Sequence, residues 1–245
     1  MLAAILLALV AIHAGSILWR GRRLRREVRT GPNAHDRAAI LRGWAMGVAI
    51  SFGLPAAIGL ALLGGPAPWD VPPPQFWLLA DTLYDAGLYL PITPLLVGMA
   101  VGTVLNAGVS YWRARTGRRP IQIGRFPNVR PQTLRDIPPA MLLSLSAGVS
   151  EELYFRLFIP LLVTSVSGST LAGFVVATLL FGAVHRYQGI RGVVATTIGG
   201  AMLAFLYLAT GALWVAMLFH TVIDLNALVV RPVTARMGGP PLNTA

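Results

Sequence analysis

The amino-acid sequence predicts an all-α polytopic membrane protein, a single bundle of about seven transmembrane helices. Hydrophobic residues make up 55% of the 245 positions and charged residues only 12%, and the mean hydropathy is +0.66. A soluble domain usually has about a quarter of its residues charged. The length accommodates roughly seven spans of about 20 residues with short connections, so no separate extramembrane domain is expected.

Apolar runs of nearly the length needed to cross a bilayer define the predicted spans. They occupy residues 2–19, 40–63, 86–112, 140–163, 170–189, 192–209 and 212–230. The stretch 72–85, PPPQFWLLADTLYD, begins with three prolines and places Asp81 and Asp85 one helical turn apart. It is therefore predicted to form an interfacial helix that leads into the third span, with an eighth span as the alternative.

Two pairs of glycines within the predicted spans have a spacing that favours close helix packing. The pairs are Gly43 with Gly47 and Gly98 with Gly102. Small residues four positions apart let two helix backbones approach each other in a membrane. We expect these glycines to mediate packing inside the bundle rather than contacts with a second copy of the chain.

The distribution of arginine predicts how the chain is oriented in the membrane. All twenty basic residues are arginines: eight lie in 20–42, seven in 113–135, two in 186–191 and two after 230, and the twentieth, Arg156, lies in the fourth predicted span. The segments 64–75, 164–169 and 210–211 contain none. Because arginine-rich loops remain in the cytoplasm, we expect the N-terminus outside and the C-terminus inside, in the plasma or inner membrane. The net charge of +11 then indicates contact with anionic lipids and not with nucleic acid.

Several classes of chemistry are excluded by what the sequence lacks. There is no cysteine, which rules out disulfides, thiolate nucleophiles and cysteine-ligated metals. Neither a phosphate-binding glycine loop nor a nucleophile elbow is present. Candidate functional groups must therefore be sought among carboxylates, imidazoles and arginine.

Three charged residues lie in the fourth predicted span, within GVSEELYFRLF at 148–158. A charge at the bilayer centre costs at least ~2.5 kcal/mol, so such groups must be paired or face a wet cavity. Glu152 and Arg156 are four residues apart, on one helix face, which predicts a buried ion pair. Glu151 lies about 100° around the helix and is left without that partner. The spacing therefore predicts that Glu152 stabilises the helix bundle through its ion pair and that Glu151 is a candidate general base.

Two further motifs place histidines inside spans. FGAVH puts Phe181 and His185 one turn apart, and FHTVID does the same for His220 and Asp224. At 1.5 Å per residue, Glu151 and His220 are both roughly 17 Å from the cytoplasmic end of their spans, whereas His185 is about 6 Å from it. For the three to share one cavity open to the cytoplasm, the fifth span must tilt or break.

In this order, on three separate spans, these motifs resemble those of the CPBP family of intramembrane proteases. That family includes the Rce-type CAAX prenyl endopeptidases and bacterial relatives linked to bacteriocin processing and immunity. The resemblance covers roughly 137–231, which would form the catalytic helices, preceded by spans with arginine-rich loops at 1–136 and followed by a cytoplasmic tail at 232–245. The matches are Glu151, Glu152 and Arg156 to EExxxR, Phe181 and His185 to FxxxH, and His220 and Asp224 to HxxxN or HxxxD.

The resemblance implies an endopeptidase that acts on a membrane-associated or CAAX-like peptide. Glu151 and His185 would activate water, while His220 and Asp224 would line the oxyanion hole; Glu152, Arg156 and Phe181 would support them. Asp224 departs from the asparagine of many relatives, because an ionised carboxylate cannot donate a hydrogen bond. It would either orient His220 or stay protonated, and Asn226, about 200° away on the helix, is no obvious substitute.

Two alternatives remain open on the sequence alone. The glutamate mechanism favoured above needs no cofactor. In the first alternative the protease depends on zinc, bound by Glu151, His185 and His220 with water in the fourth position. In the second, the polar set gates protons or holds the bundle together, and the protein is a non-catalytic immunity or scaffold protein.

Overall fold

The computed structural model describes residues 1–30, 37–64, 72–118 and 131–238, which form eight helical segments. Six of them, all except α3 and α5, are long and apolar enough to cross a membrane. This confirms the predicted all-α membrane class. The segments are α1 (Leu2–Thr30), α2 (Arg37–Leu62), α3 (residues 74–85), α4 (Ile92–Arg115), α5 (residues 134–167), α6 (Thr170–Gln188), α7 (Ile190–Thr210) and α8 (Leu213–Met237).

The charged helix α5 lies at the centre of the bundle. It begins at a capping box, in which the Asp136 carboxylate accepts hydrogen bonds from the backbone N–H groups of Gln132 and Thr133 at 2.8 and 2.9 Å. It packs against α1, α2, α6, α7 and α8. Its charges make it less apolar than the six candidate spans, and the surrounding helices shield those charges from lipid.

Several long helices depart from α-helical geometry close to the motif residues. A π-helical turn, Leu153–Phe158, follows Glu152 directly in α5, and another, Asn226–Val230, follows Asp224 by one residue in α8. Such turns frequently occur at functional sites. In α6 the α-helix ends at Val184, and His185–Gln188 form a 3₁₀ turn. The regular α-helix of the fifth predicted span therefore ends at the residue before His185.

Two of the differences between the predicted boundaries and the structure lie at the third span and at the C-terminal tail. The third span does not start at residue 86: α3 ends at Asp85, the chain turns at Gly87 with φ of 71°, and α4 begins at Ile92 after Pro91. Glycine adopts a positive φ without strain, and proline favours the first turn of a helix. At the other end, α8 continues to Met237, past the predicted start of the tail at 232.

Parts of the predicted loops and tail lie outside the described residues, namely 31–36, 65–71, 119–130 and 239–245. The first arginine-rich segment is not wholly a loop, because α1 continues to Thr30. The stretch predicted to form an interfacial helix is helical, as α3, and is too short to span a bilayer.

The glycines that mediate close packing are not the predicted ones. No described atom lies within 4 Å of a Cβ built on either pair, and α4 has no buried residue, so that prediction was wrong. The close approach occurs instead at Gly148 in α5. A Cβ there would collide with the Thr221 side chain and the Met217 carbonyl of α8. Gly148 thereby brings the part of α5 that carries the glutamates against the part of α8 that carries His220.

We expect Gly148→Ala to destabilise the protein by about 1–3 kcal/mol, because the added methyl group overpacks a backbone contact that cannot open locally. The measurement is thermal unfolding of the purified protein in detergent. Gly98→Ala is the matched control: it adds the same methyl group to a helix where there is space, and should leave the unfolding temperature at or above the wild-type value. Equal stability of the two variants would contradict the packing role of Gly148.

Candidate active site

Arg156 and Glu152 form the predicted buried ion pair. Arg156 Nε lies 3.1 Å from Glu152 Oε2, and the two side chains are 1% and 0% exposed. Arg156 Nη2 donates a hydrogen bond to the Gly200 carbonyl of α7 at 3.3 Å. Its guanidinium carbon lies 4.2 Å from the ring centroid of Phe181 in α6. One arginine therefore connects α5, α6 and α7 at the level of the motif residues.

The second oxygen of Glu152 holds His220. Glu152 Oε1 is 2.7 Å from His220 Nδ1. A carboxylate paired with arginine can only accept a hydrogen bond, so Nδ1 must carry the hydrogen. This orientation turns His220 Nε2 toward Glu151, whose Oε2 lies 3.9 Å away. The four-residue spacing predicted only the ion pair of Glu152 with Arg156. It did not predict the hydrogen bond between Glu152 and His220.

His185 is held by the carbonyl of its own motif partner. At the end of the α-helix, the His185 backbone N–H points to the carbonyls of Gly182 and Ala183. The Phe181 carbonyl, left without its helical donor, accepts a hydrogen bond from His185 Nδ1 at 2.7 Å. Nε2 of the neutral ring is then an acceptor, and it lies 3.8 Å from Glu151 Oε2.

Glu151, His185 and His220 converge as the sequence required. Glu151 Oε2 is buried and has no hydrogen-bond partner among the described residues. Its distances of 3.8 and 3.9 Å to the two imidazole nitrogens are too long for direct hydrogen bonds. They are compatible with a small polar molecule that contacts both sides. A carboxylate and two imidazoles from three helices thus face a common point.

Asp224 does not position His220 directly. Its Oδ2 is 3.9 Å from His220 Nε2, and its side chain is 31% exposed. The orienting contact on Nδ1 comes from Glu152 instead. Asn226 is turned toward α4, where its side chain hydrogen-bonds those of Asn106 and Thr103 at 2.8 and 3.0 Å. It is therefore no substitute for Asp224.

The three side chains named in the zinc alternative are farther apart in this structure than zinc ligands would be. In the part of the chain that the structure describes, no group of three or more histidine, aspartate or glutamate side chains is placed to hold a metal ion. Tetrahedral zinc would bring its ligand atoms to about 3.3 Å from one another. Glu151 Oε2 is farther than that from both imidazole nitrogens.

The fold and the site together define an integral membrane protein whose buried Glu/His cluster is consistent with a catalytic site. Residues 133–226 match the family described as Type II CAAX prenyl endopeptidase Rce1-like, and this range contains every residue of the predicted site. The chain therefore carries an Rce1-like CAAX prenyl endopeptidase domain, and this family implies a protease with a peptide substrate. No curated protein and no solved structure matches the chain.

Removal of Arg156 should destabilise the site strongly. We expect Arg156→Met to lower the free energy of unfolding by about 3–5 kcal/mol, because Glu152 would then be buried without its counter-charge. Arg135→Met, at an exposed position, is the control and should change stability little. Thermal unfolding in detergent compares the two. The double variant Glu152→Gln/Arg156→Met should recover part of the loss; a further decrease would argue against the pairing.

Proposed function

We propose that the protein is an intramembrane endopeptidase that hydrolyses a peptide bond with water activated by Glu151 and His185. The supporting observation is the buried Oε2 atom of Glu151, unpartnered within the described structure and facing both imidazole Nε2 atoms at 3.8 and 3.9 Å. Water activation requires a base that is not already hydrogen-bonded to another side chain and can take a proton from water. Glu151 meets this requirement and lies in a domain of a protease family.

In the proposed reaction, water donates hydrogen bonds to Glu151 and to His185 Nε2. Glu151 takes one proton as the water oxygen bonds to the peptide carbonyl carbon, and the electron pair of the C–O π bond moves onto the carbonyl oxygen. When this tetrahedral intermediate collapses, the C–N bond breaks and the proton held by Glu151 passes to the leaving nitrogen. His185 orients the water, because its Nδ1–H is held by the Phe181 carbonyl.

His220 is proposed to stabilise the oxyanion of that intermediate. It can donate from Nε2 only when both ring nitrogens carry hydrogen. Its Nδ1–H is committed to the Glu152 carboxylate at 2.7 Å, so the second hydrogen would lie on Nε2, which is 3.9 Å from Asp224 Oδ2. A hydrogen-bond donor that already points to the position of the oxyanion contributes strongly to catalysis, because the protein does not have to rearrange as the negative charge develops.

The proposal includes a seven-span topology with α5 as the seventh span. The six candidate spans are all apolar, and α5 would cross among them with its charges shielded by its neighbours. The arginine distribution supports an external N-terminus, a cytoplasmic C-terminus and contact of the arginine-rich segments with anionic lipid, in the plasma or inner membrane. The site would then be reached from the cytoplasm by a CAAX-like or other membrane-proximal peptide.

We expect Glu151→Gln to lower cleavage by about 10²–10⁴-fold, because the amide keeps the shape of the side chain but cannot take a proton from water. The assay uses purified protein in detergent and a fluorogenic, farnesylated CAAX peptide. Asp81→Asn makes the same chemical change at an exposed position and should retain wild-type activity. Thermal unfolding would verify that both variants are folded. Full activity of Glu151→Gln would refute the proposed mechanism.

A separate measurement addresses zinc. We expect cleavage to survive exhaustive chelation, with no stoichiometric metal by elemental analysis, because the three side chains are not spaced as zinc ligands. Activity that is lost on chelation and restored by added zinc would establish the metal alternative instead. If Glu151→Gln kept an immunity or scaffolding phenotype in cells, a non-catalytic role would be favoured.

A further inference from the structure

Tyr187 follows His185 by two residues and lies at the candidate site, although no motif includes it. It belongs to the 3₁₀ turn His185–Gln188. Its ring centroid lies 5.8 Å from that of His185, with the planes tilted by 31°. The ring of Trp44 in α2 packs edge-on at 5.6 Å. The phenol is thus held between the catalytic imidazole and a neighbouring helix.

The Tyr187 hydroxyl oxygen accepts a hydrogen bond from Gln188, and this contact does not use the hydroxyl hydrogen. Gln188 Nε2, on a buried side chain, donates a hydrogen bond to the Tyr187 oxygen at 3.3 Å. A phenol that accepts in this way still has its own O–H available. The phenol ring lies against the imidazole of His185, whose Nε2 faces Glu151 Oε2 at 3.8 Å.

The two histidines direct few hydrogen-bond donors to this centre. The Nδ1–H groups of both histidines are directed away from it, to the Phe181 carbonyl and to Glu152. The atoms that face inward are the oxygens of Glu151 and the two Nε2 atoms, which are acceptors when the rings are neutral. A peptide carbonyl that develops negative charge needs donors. His220 supplies one only when it is protonated, whereas tyrosine supplies one in its ordinary form.

We propose that Tyr187 is a further catalytic residue, whose hydroxyl, fixed by Gln188 and by its contact with His185, donates a hydrogen bond to the carbonyl oxygen of the scissile peptide. The inference rests on the proposed function. As the water oxygen adds to the carbonyl carbon, the Tyr187 hydrogen bond strengthens on the oxyanion, and no proton leaves the phenol. Gln188 is a positioning residue, since it contacts the phenol oxygen and not the substrate.

The test compares Tyr187→Phe with wild type on the farnesylated CAAX peptide. The variant keeps the ring and its contacts and loses only the hydroxyl. Removal of one oxyanion donor typically lowers kcat by about 10²-fold, and we expect a loss of that order with little change in KM. Gln188→Met should lower kcat less, because the donor remains but is no longer oriented.

Tyr154→Phe is the matched control. Its hydroxyl is buried and has no hydrogen-bond partner among the described residues, and its ring packs against His13 and Phe52. We expect it to retain the wild-type kcat. The unfolding temperature of each variant separates a loss of catalysis from a loss of fold.

The possible outcomes distinguish this inference from the proposed function. If wild type cleaves and Glu151→Gln does not, a wild-type kcat for Tyr187→Phe overturns the role of Tyr187 and leaves the protease assignment in place. A rise in KM alone, or a comparable loss in Tyr154→Phe, also overturns it. An inactive wild type would overturn both proposals together.

Discussion

The site depends on one buried carboxylate, Glu152, which bridges an arginine and a histidine. Its two oxygens contact Arg156 at 3.1 Å and His220 at 2.7 Å. Each contact offsets part of the cost of burying the Glu152 carboxylate, and the contact with Nδ1 fixes which ring nitrogen of His220 carries the hydrogen. Without Glu152, α5 would carry an unpaired guanidinium in the membrane and α8 an imidazole of undefined orientation. The conformation of the neighbouring Glu151 depends on the same helix geometry.

The arrangement of the bundle follows from the need to shield these charges. The helix that carries them, α5, packs against α1, α2, α6, α7 and α8. The helix α4 has no buried residue and joins the bundle partly through polar contacts of Asn106 with Asn226 and Arg231. In hydrocarbon, apolar side chains gain little by leaving lipid, so polar groups and close glycine contacts decide which helices are central. Gly148 provides such a contact between α5 and α8.

The two halves of the proposed reaction are supplied by different parts of this scaffold. The base and the group that orients water come from α5 and from the broken end of α6, where a free carbonyl sets the tautomer of His185. The groups proposed for the oxyanion come from α8 and from the 3₁₀ turn of α6. Tyr187 was missed at the level of sequence because a tyrosine near a helix end has no distinctive spacing. Only its contacts with Gln188 and His185 distinguish it from an ordinary interfacial aromatic residue.

The sequence alone determined the all-α membrane class, most of the spans and the Glu152–Arg156 pair, because hydropathy and four-residue spacing are local properties. The tertiary structure decided which helix occupies the centre, which glycines mediate contact and which group holds His220. Glu152 and His220 are 68 residues apart in the chain, so no local pattern connects them. Gly98 and Gly102 have the spacing of a packing motif but meet no neighbour, since a contact requires a second helix whose position the motif does not encode.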